Sequence, residues 1–422
     1  MKNRIRSGLM ERGLSLAKLG LQIGALAAVG RNGNNLLRQA ELLATELGKL
    51  KGSLMKAGQM LSVYGEHFFP PEVNAALKRL QSETPPLDWK EVEKVLTKSL
   101  GKERLARLDI EHEAFAAASL GQVHRARIHA TGREVAIKVQ YPGVDKAIRS
   151  DVATLRTLFS LLELAPRMPE LDQIFAEVQA MMRQELDYKQ ELRMLRFFRR
   201  ELAGDSRYLI PEPIEEFSTA RVLTMEYVPG AKIDGTEVAE LSPARRNALG
   251  EAALDLYFQE LFRFRKVQTD PHFGNYRVRI DARGKDQLVL YDFGAVRTVE
   301  ASFINHYSGM LRGLLDHDQA LFEKSAGALG MLQAHDPEDL RRIFSELCSL
   351  IVEPFLGNGL YSWAGTDLPR RCVDKALELK KYPLRQPPRE LVFLDRKMAG
   401  MFTLEASLGA EFAPRALLER YV

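Results

Sequence analysis

Ala116-Ala117-Ala118-Ser119-Leu120-Gly121-Gln122-Val123 and, after a short hairpin, Val135-Ala136-Ile137-Lys138 decide the fold. The first segment is a turn of small residues, and at Gly121 the backbone can approach a ligand without a Cβ in the way. The second is an apolar strand that ends on a lysine fifteen residues after Val123. Gln122 to Ile128 and Glu134 to Gln140 read as two short strands joined at Thr131-Gly132. A lysine that closes an apolar strand needs a reason to be there. The bland one is an edge-strand lysine that snorkels to water.

Two segments further on favour a chemical reason. Thr269-Asp270-Pro271-His272-Phe273-Gly274-Asn275 keeps an aspartate and an asparagine five residues apart, and Asp292-Phe293-Gly294 ends the apolar strand Leu288-Val289-Leu290-Tyr291. Alone, the first is a polar turn and the second a common tripeptide. In this order they match the protein-kinase set of a glycine loop over the ATP phosphates, a V-A-I-K lysine, a catalytic loop H-R-D-x-x-x-x-N and D-F-G. Lys138 then pairs with the α/β-phosphates and a helix glutamate, Asp270 orients the nucleophile, and Asn275 with Asp292 holds Mg²⁺. There are departures. Ala116 and Ala118 stand where the first two loop glycines would be, and Gln268-Thr269 replaces His-Arg.

Gln184-Glu185-Leu186-Asp187-Tyr188-Lys189-Gln190-Glu191 reads as one helix, on which Asp187 and Glu191 share a face and either can meet Lys138. The 53 residues from Lys138 to Glu191 imply an inserted helix. Leu223 to Gly230 reads as the strand leaving the small lobe, with Met225 as gatekeeper and backbone groups near Glu226 and Val228 for the adenine edge. The nucleotide set is thus Ala116, Ala117, Ala118, Ser119, Gly121, Val123, Ala136, Lys138, Met225, Glu226 and Val228. After Asp292 helix-like sequence resumes within about ten residues and no A-P-E follows, so the usual platform for a peptide substrate is missing.

The expected class is α+β, a bilobal protein-kinase-like fold with a helical extension covering the active site. The expected parts are an N-terminal helix over 1–35, a helical extension over 36–110, a small β-rich lobe over 111–228 and a larger helical lobe over 229–422. With 422 residues, 45% of them hydrophobic, the chain can bury a sizeable core. Its 60 basic residues nearly balance 56 acidic ones, which gives no footprint for nucleic acid. Cys348 and Cys372 lack metal spacing. The run from Gly13 to Gly30 is too interrupted to span a bilayer well, so it reads as an ordinary leader helix or one lying on a membrane surface. Gly20 and Gly24 form a GxxxG pair, which makes a second copy of the chain an expected partner.

Lys56-Ala57-Gly58-Gln59 resembles the KxGQ motif of the AarF/UbiB/ADCK family of atypical kinases, and AAASLGQVH resembles that family's replacement for the glycine loop. Glu185-Leu186-Asp187 is similar to its ExD motif, with Glu191 in the place of its αC glutamate, and Gln268-Thr269-Asp270-Pro271 to its catalytic loop. The likeness spans roughly residues 40–300, and the last 120 residues add no motif. The resemblance implies that Lys56 pairs with Glu185 or Asp187 and that Gln59 lies near the γ-phosphate. It implies a Mg-ATPase that supports isoprenoid-quinone (ubiquinone) biosynthesis, with ATP, membrane lipid and the proteins of that biosynthesis as partners. The expected location is the cytoplasm, peripheral to the inner membrane. A small-molecule or protein phosphotransferase and a non-catalytic ATP-binding scaffold stay open as alternatives.

Overall fold

The computed structural model of the protein describes residues 56–58, 60–61, 69, 71–78, 86–118, 120–161, 171–379, 381–382, 385 and 387–422. The expected N-terminal helix over 1–35, Gln59 and Ser119 lie outside the described residues. The chain forms two compact units, residues 1–193 with 212–227 and residues 194–211 with 228–422.

The first unit is built on an antiparallel sheet of β1 (Leu108–Ala118), β2 (Gly121–Ile128), β3 (Glu134–Gln140) and the strand Val222–Glu226, in that order. β1 precedes Gln122, where the sequence first reads as strand, and takes in Ala116–Ala118, which read as a turn. Register shifts between Ile110 and Ala116 break the alternation that would have announced it. Val135, Ile137 and Val139 of β3 are buried with Val92, Val95, Leu96 and Leu100 of the helix Trp89–Leu100. Asp88 caps that helix by accepting the Lys90 N–H at 3.3 Å. Alternate strand residues face opposite sides, so Ala136 and Lys138 point away from this core.

A second apolar cluster gathers Ala57, Met60 and Leu61 of the KxGQ segment, Leu120 at the tip of the alanine hairpin, and residues of the helices Val144–Leu161 and Leu171–Glu185. Those two helices stand where one inserted helix was expected. Nor does the helix run through to Glu191. It stops at Glu185, and a new one starts at Tyr188. Asp187 is the reason, because its side chain accepts the Gln190 N–H at 2.9 Å and its carbonyl the Glu191 N–H at 2.9 Å, the bonds of an N-cap.

In the second unit the helix Pro243–Phe258 widens into a π-turn, Gln259–Phe264, and Arg265 ends it in the left-handed region with φ 52°. The strands Lys266–Gln268 and Val296–Thr298 pair antiparallel, and Tyr276–Arg279 pairs with Gln287–Leu290. Helices follow, from Ala301–Leu315 to Arg389–Leu408. Among the described residues no helix is long and apolar enough to cross a membrane.

Glu405, on the helix Arg389–Leu408, is fully buried, and neither carboxyl oxygen has a hydrogen-bond partner among the described residues. Burial, helped by the nearby Glu251 charge, holds its carboxyl well above the ordinary 4.5. The folded chain therefore keeps this proton more tightly than the unfolded chain. The associated stability is complete below the ordinary carboxylate value and is lost as pH rises toward the folded one. Glu405→Gln keeps the shape without the acid. Its thermal midpoint is expected to exceed the parent's by about 2–6 °C near pH 8, with the gap closing near pH 5, as followed by circular dichroism.

Candidate nucleotide and metal site

Cross-strand partners share a face of a sheet. Ala118 lies opposite Gly121, Ala116 opposite Val123, Val123 opposite Lys138, and Ala136 opposite Met225. Seven of the residues expected at the nucleotide, Ala116, Ala118, Gly121, Val123, Ala136, Lys138 and Met225, thus line one face of the first unit's sheet. Ala117 and Glu226 belong to the other face, and the Glu226 N–H is taken by the Glu212 carbonyl at 2.8 Å. A Cβ at Gly121 would lie 2.3 Å from the Val139 carbonyl oxygen and 3.1 Å from the Tyr188 hydroxyl, so the hairpin base accepts only glycine there without moving.

Lys138 Nζ donates to both carboxylate oxygens of Glu191, at 2.8 and 3.1 Å, and lies 5.2 Å from the centre of the Tyr188 ring. The lysine side chain is 14% exposed and the glutamate 1%, so the pair is a buried one. Asp187, capping and exposed, does not share Lys138. Lys56 Nζ lies 2.8 Å from Glu185 Oε1, and of the two carboxylates expected for it the structure selects this one. Gln140 donates to the Leu186 carbonyl at 2.6 Å and so pins the break between the two helices.

The rest of the alanine-loop signature is a buried relay. The Leu87 N–H donates to Gln122 Oε1 at 2.7 Å, Gln122 Nε2 lies 2.9 Å from His124 Nε2, and His124 Nδ1 lies 2.8 Å from the Glu111 carbonyl oxygen. A carbonyl only accepts, so His124 carries its proton on Nδ1 and receives the Gln122 bond on Nε2. Burial lowers the imidazole's pKa, which suits this neutral form.

In the second unit Gln268 ties two motifs together. Its Oε1 accepts the Asp270 N–H at 3.0 Å and its Nε2 donates to the Asp292 carbonyl at 2.6 Å. Asn275 Nδ2 donates to the Asp270 carbonyl at 3.0 Å and to Asp270 Oδ2 at 3.3 Å. Asn275 precedes the strand Tyr276–Arg279, and Asp292 follows Gln287–Leu290, which pairs with it antiparallel, so both emerge at one end of the hairpin. Their amide and carboxylate oxygens are hard donors of the kind Mg²⁺ takes alongside phosphate and water. The Val228 carbonyl accepts from the Tyr291 hydroxyl at 2.5 Å. Phe293 stacks on Phe198 with ring centres 4.8 Å apart. Past Gly294 the chain is held at once: the Ala295 carbonyl accepts the Thr269 hydroxyl at 2.8 Å, and the helix Ala301–Leu315 soon begins.

The C-terminal region, mute in sequence, reaches this loop. Arg396 Nη2 lies 3.4 Å from Asp270 Oδ1. A Cβ on Gly400 would fall 2.1 Å from the Pro271 Cβ, so only glycine lets the helix Arg389–Leu408 lie this close. Lys397 donates to the Tyr276 hydroxyl at 2.7 Å and lies 3.7 Å from Glu260 Oε2. Burial raises the Glu260 carboxyl to about 7, against the opposing pull of Lys397. No sequence signal marks these residues, because their partners lie more than a hundred positions away.

A bilobal set of kinase motifs on an α+β scaffold defines an atypical kinase-like protein. The sequence profile of the ABC1 atypical kinase-like domain matches residues 79–326. The chain belongs to that family. It is 32% identical to the mitochondrial atypical kinase COQ8B of Rattus norvegicus over 418 residues, covering 95% of this chain and 78% of that protein. It is 30% identical to the mitochondrial atypical kinase COQ8 of Saccharomyces cerevisiae, covering 87% of this chain and 73% of the relative. The chain spans 65% of the length of the Danio rerio COQ8B and 49% of the Caenorhabditis elegans coq-8. Among solved structures it is similar to Rv3197 of Mycobacterium tuberculosis in complex with erythromycin, with a TM-score of 0.66 and 27% identity over 91% of this chain and 96% of that one.

Proposed function

We propose that this protein is a Mg-dependent ATPase that serves isoprenoid-quinone biosynthesis at a membrane lipid and does not phosphorylate proteins. The observation that carries the reading is the buried Lys138–Glu191 pair at the end of the V-A-I-K strand. It presents a fixed ammonium, which the α/β-phosphates of ATP require. Asn275 and Asp292 would hold a Mg²⁺ ion, which would supply positive charge to the phosphates. Asp270, fixed by Gln268 and Arg396, orients the attacking oxygen and takes its proton as the bond to the γ-phosphorus forms and the β–γ bridge breaks. The lysine of the KxGQ segment, engaged with Glu185, keeps the leader beside the ExD turn. The immediate tie from Thr269 to Ala295 supports hydrolysis over protein phosphorylation, because only the short paired strand Val296–Thr298 separates it from the helix Ala301–Leu315, with no A-P-E segment as a platform for a peptide. The quinone assignment rests on the family resemblance, and the names of the COQ8 relatives are consistent with it.

The test is phosphate release from Mg-ATP by the purified full chain, with and without anionic liposomes, beside labelling of a generic peptide. Release stimulated by liposomes with no peptide labelling is the expected result. Nucleotide binding without release would leave a scaffold, and efficient peptide labelling would make the chain a protein kinase.

A further inference from the structure

Three polar side chains lie in the interior directly under the catalytic loop. Lys397 is 1% exposed and Glu260 2%, and Tyr276 is equally buried. Removing a lysine and a glutamate from water is costly, and an apolar pair of the same volume would often serve stability as well. Their connections suggest another use. Glu260 Oε2 accepts the backbone N–H of Gln268, the residue that enters the loop, at 3.3 Å. Tyr276 leaves the loop one residue after Asn275, and its hydroxyl accepts from Lys397 at 2.7 Å. Lys397 meets both. Entry and exit are thus joined by a closed path from Gln268 through Glu260 and Lys397 to Tyr276, with Asp270 and Asn275 in the span between.

We propose that Lys397, Glu260 and Tyr276 form a positioning tie that fixes the distance between Asp270 and Asn275. The widened π-turn at Gln259–Phe264 carries Glu260, and the close seat of Gly400 on Pro271 brings Lys397 within reach. None of the three needs to touch nucleotide. They act through the two residues whose separation decides whether the attacking oxygen and the metal sit together. An ordinary packed core would leave that spacing to the loop's own bonds. Here an ion pair at 3.7 Å crosses beneath it, and the hydrogen bonds at its two ends, being directional, fix position where apolar contact does not.

This inference rests on the ATPase reading, so its test carries a readout independent of turnover. The full chain is compared with Tyr276→Phe, which removes one bond, and with Glu260→Gln/Lys397→Met, which leaves no buried charge uncompensated. Each is assayed for Mg-ATP turnover and for amide hydrogen exchange. The expected result is a kcat about tenfold lower in the double variant, in line with small displacements at a reacting centre. The KM for ATP should stay within about twofold, the sign of an interaction used in the transition state alone. Exchange should quicken at 268–276 and not in β3. Unchanged kcat despite faster local exchange would overturn the proposal. So would parallel changes in kcat, KM and exchange throughout the chain, which mark plain structural damage. If the parent itself releases no phosphate, the ATPase reading is what fails. Exchange then decides alone: faster exchange confined to 268–276 keeps the tie, and unchanged exchange removes it.

Discussion

Asp292→Asn is expected to lower Mg-ATP turnover about a thousandfold while the protein stays folded, the scale of losing one preorganised electrostatic contact at a reacting centre. The fold should tolerate the change because Asp292 Oδ1 accepts the Gly294 N–H at 2.9 Å, and an asparagine oxygen accepts that bond equally well. The charge and one acceptor oxygen are lost. A divalent ion then keeps one neutral amide and one neutralised carboxylate position, and its affinity should fall with the missing charge. Phosphate release measured against Mg²⁺ concentration checks this. A variant at parental rate and with a parental Mg²⁺ midpoint would remove Asp292 from the metal and the ATPase reading with it.

Lys138→Met should act on stability as well as on nucleotide. Glu191 is almost completely buried, and its two bonds from Lys138 would vanish together. Breaking a buried pair from one side costs about 3–5 kcal/mol. At roughly 2–4 °C per kcal/mol the thermal midpoint would fall by about 6–20 °C. Lys138→Met/Glu191→Gln removes both charges and should recover most of that loss. It should not recover the upward thermal shift on adding Mg-ATP, since the ammonium for the phosphates is still missing. If the double variant regains the nucleotide shift, Lys138 is a core residue and no more.

How much of this was legible depended on distance along the chain. β2, β3 and the hairpin between them could be read because the alternation in Gln122 to Ile128 and Glu134 to Gln140 is local and clean. β1 does not show in the sequence, where Ala116–Ala118 read as a turn, because its bulges spoil that period. The break at Leu186 was missed although a signal was present. Asp187 with Gln190 three residues on has the spacing of a capping box, hidden in a run of charges that also suits a helix interior. The kinase pattern offers Lys138 either Asp187 or Glu191, while Lys56 could be matched to Glu185 or Asp187 only through the resemblance to a family, since no periodicity links residues so far apart. Arg396, Lys397 and Gly400 lie in the last 120 residues, where the sequence adds no motif, and only tertiary packing reveals what they touch.

Leu120, at the tip of the alanine hairpin, shares its burial with Ala57, Met60 and Leu61 of the KxGQ segment. A nucleotide that needed the tip raised would have to uncover that leucine, which costs about 1.5–3 kcal/mol. That equals roughly one to two decades of affinity withheld from ATP. Any apolar surface able to cover the leucine in place of the leader would hand those decades back. In that case the tip would be a reserve of binding strength, released by an apolar partner and silent in water.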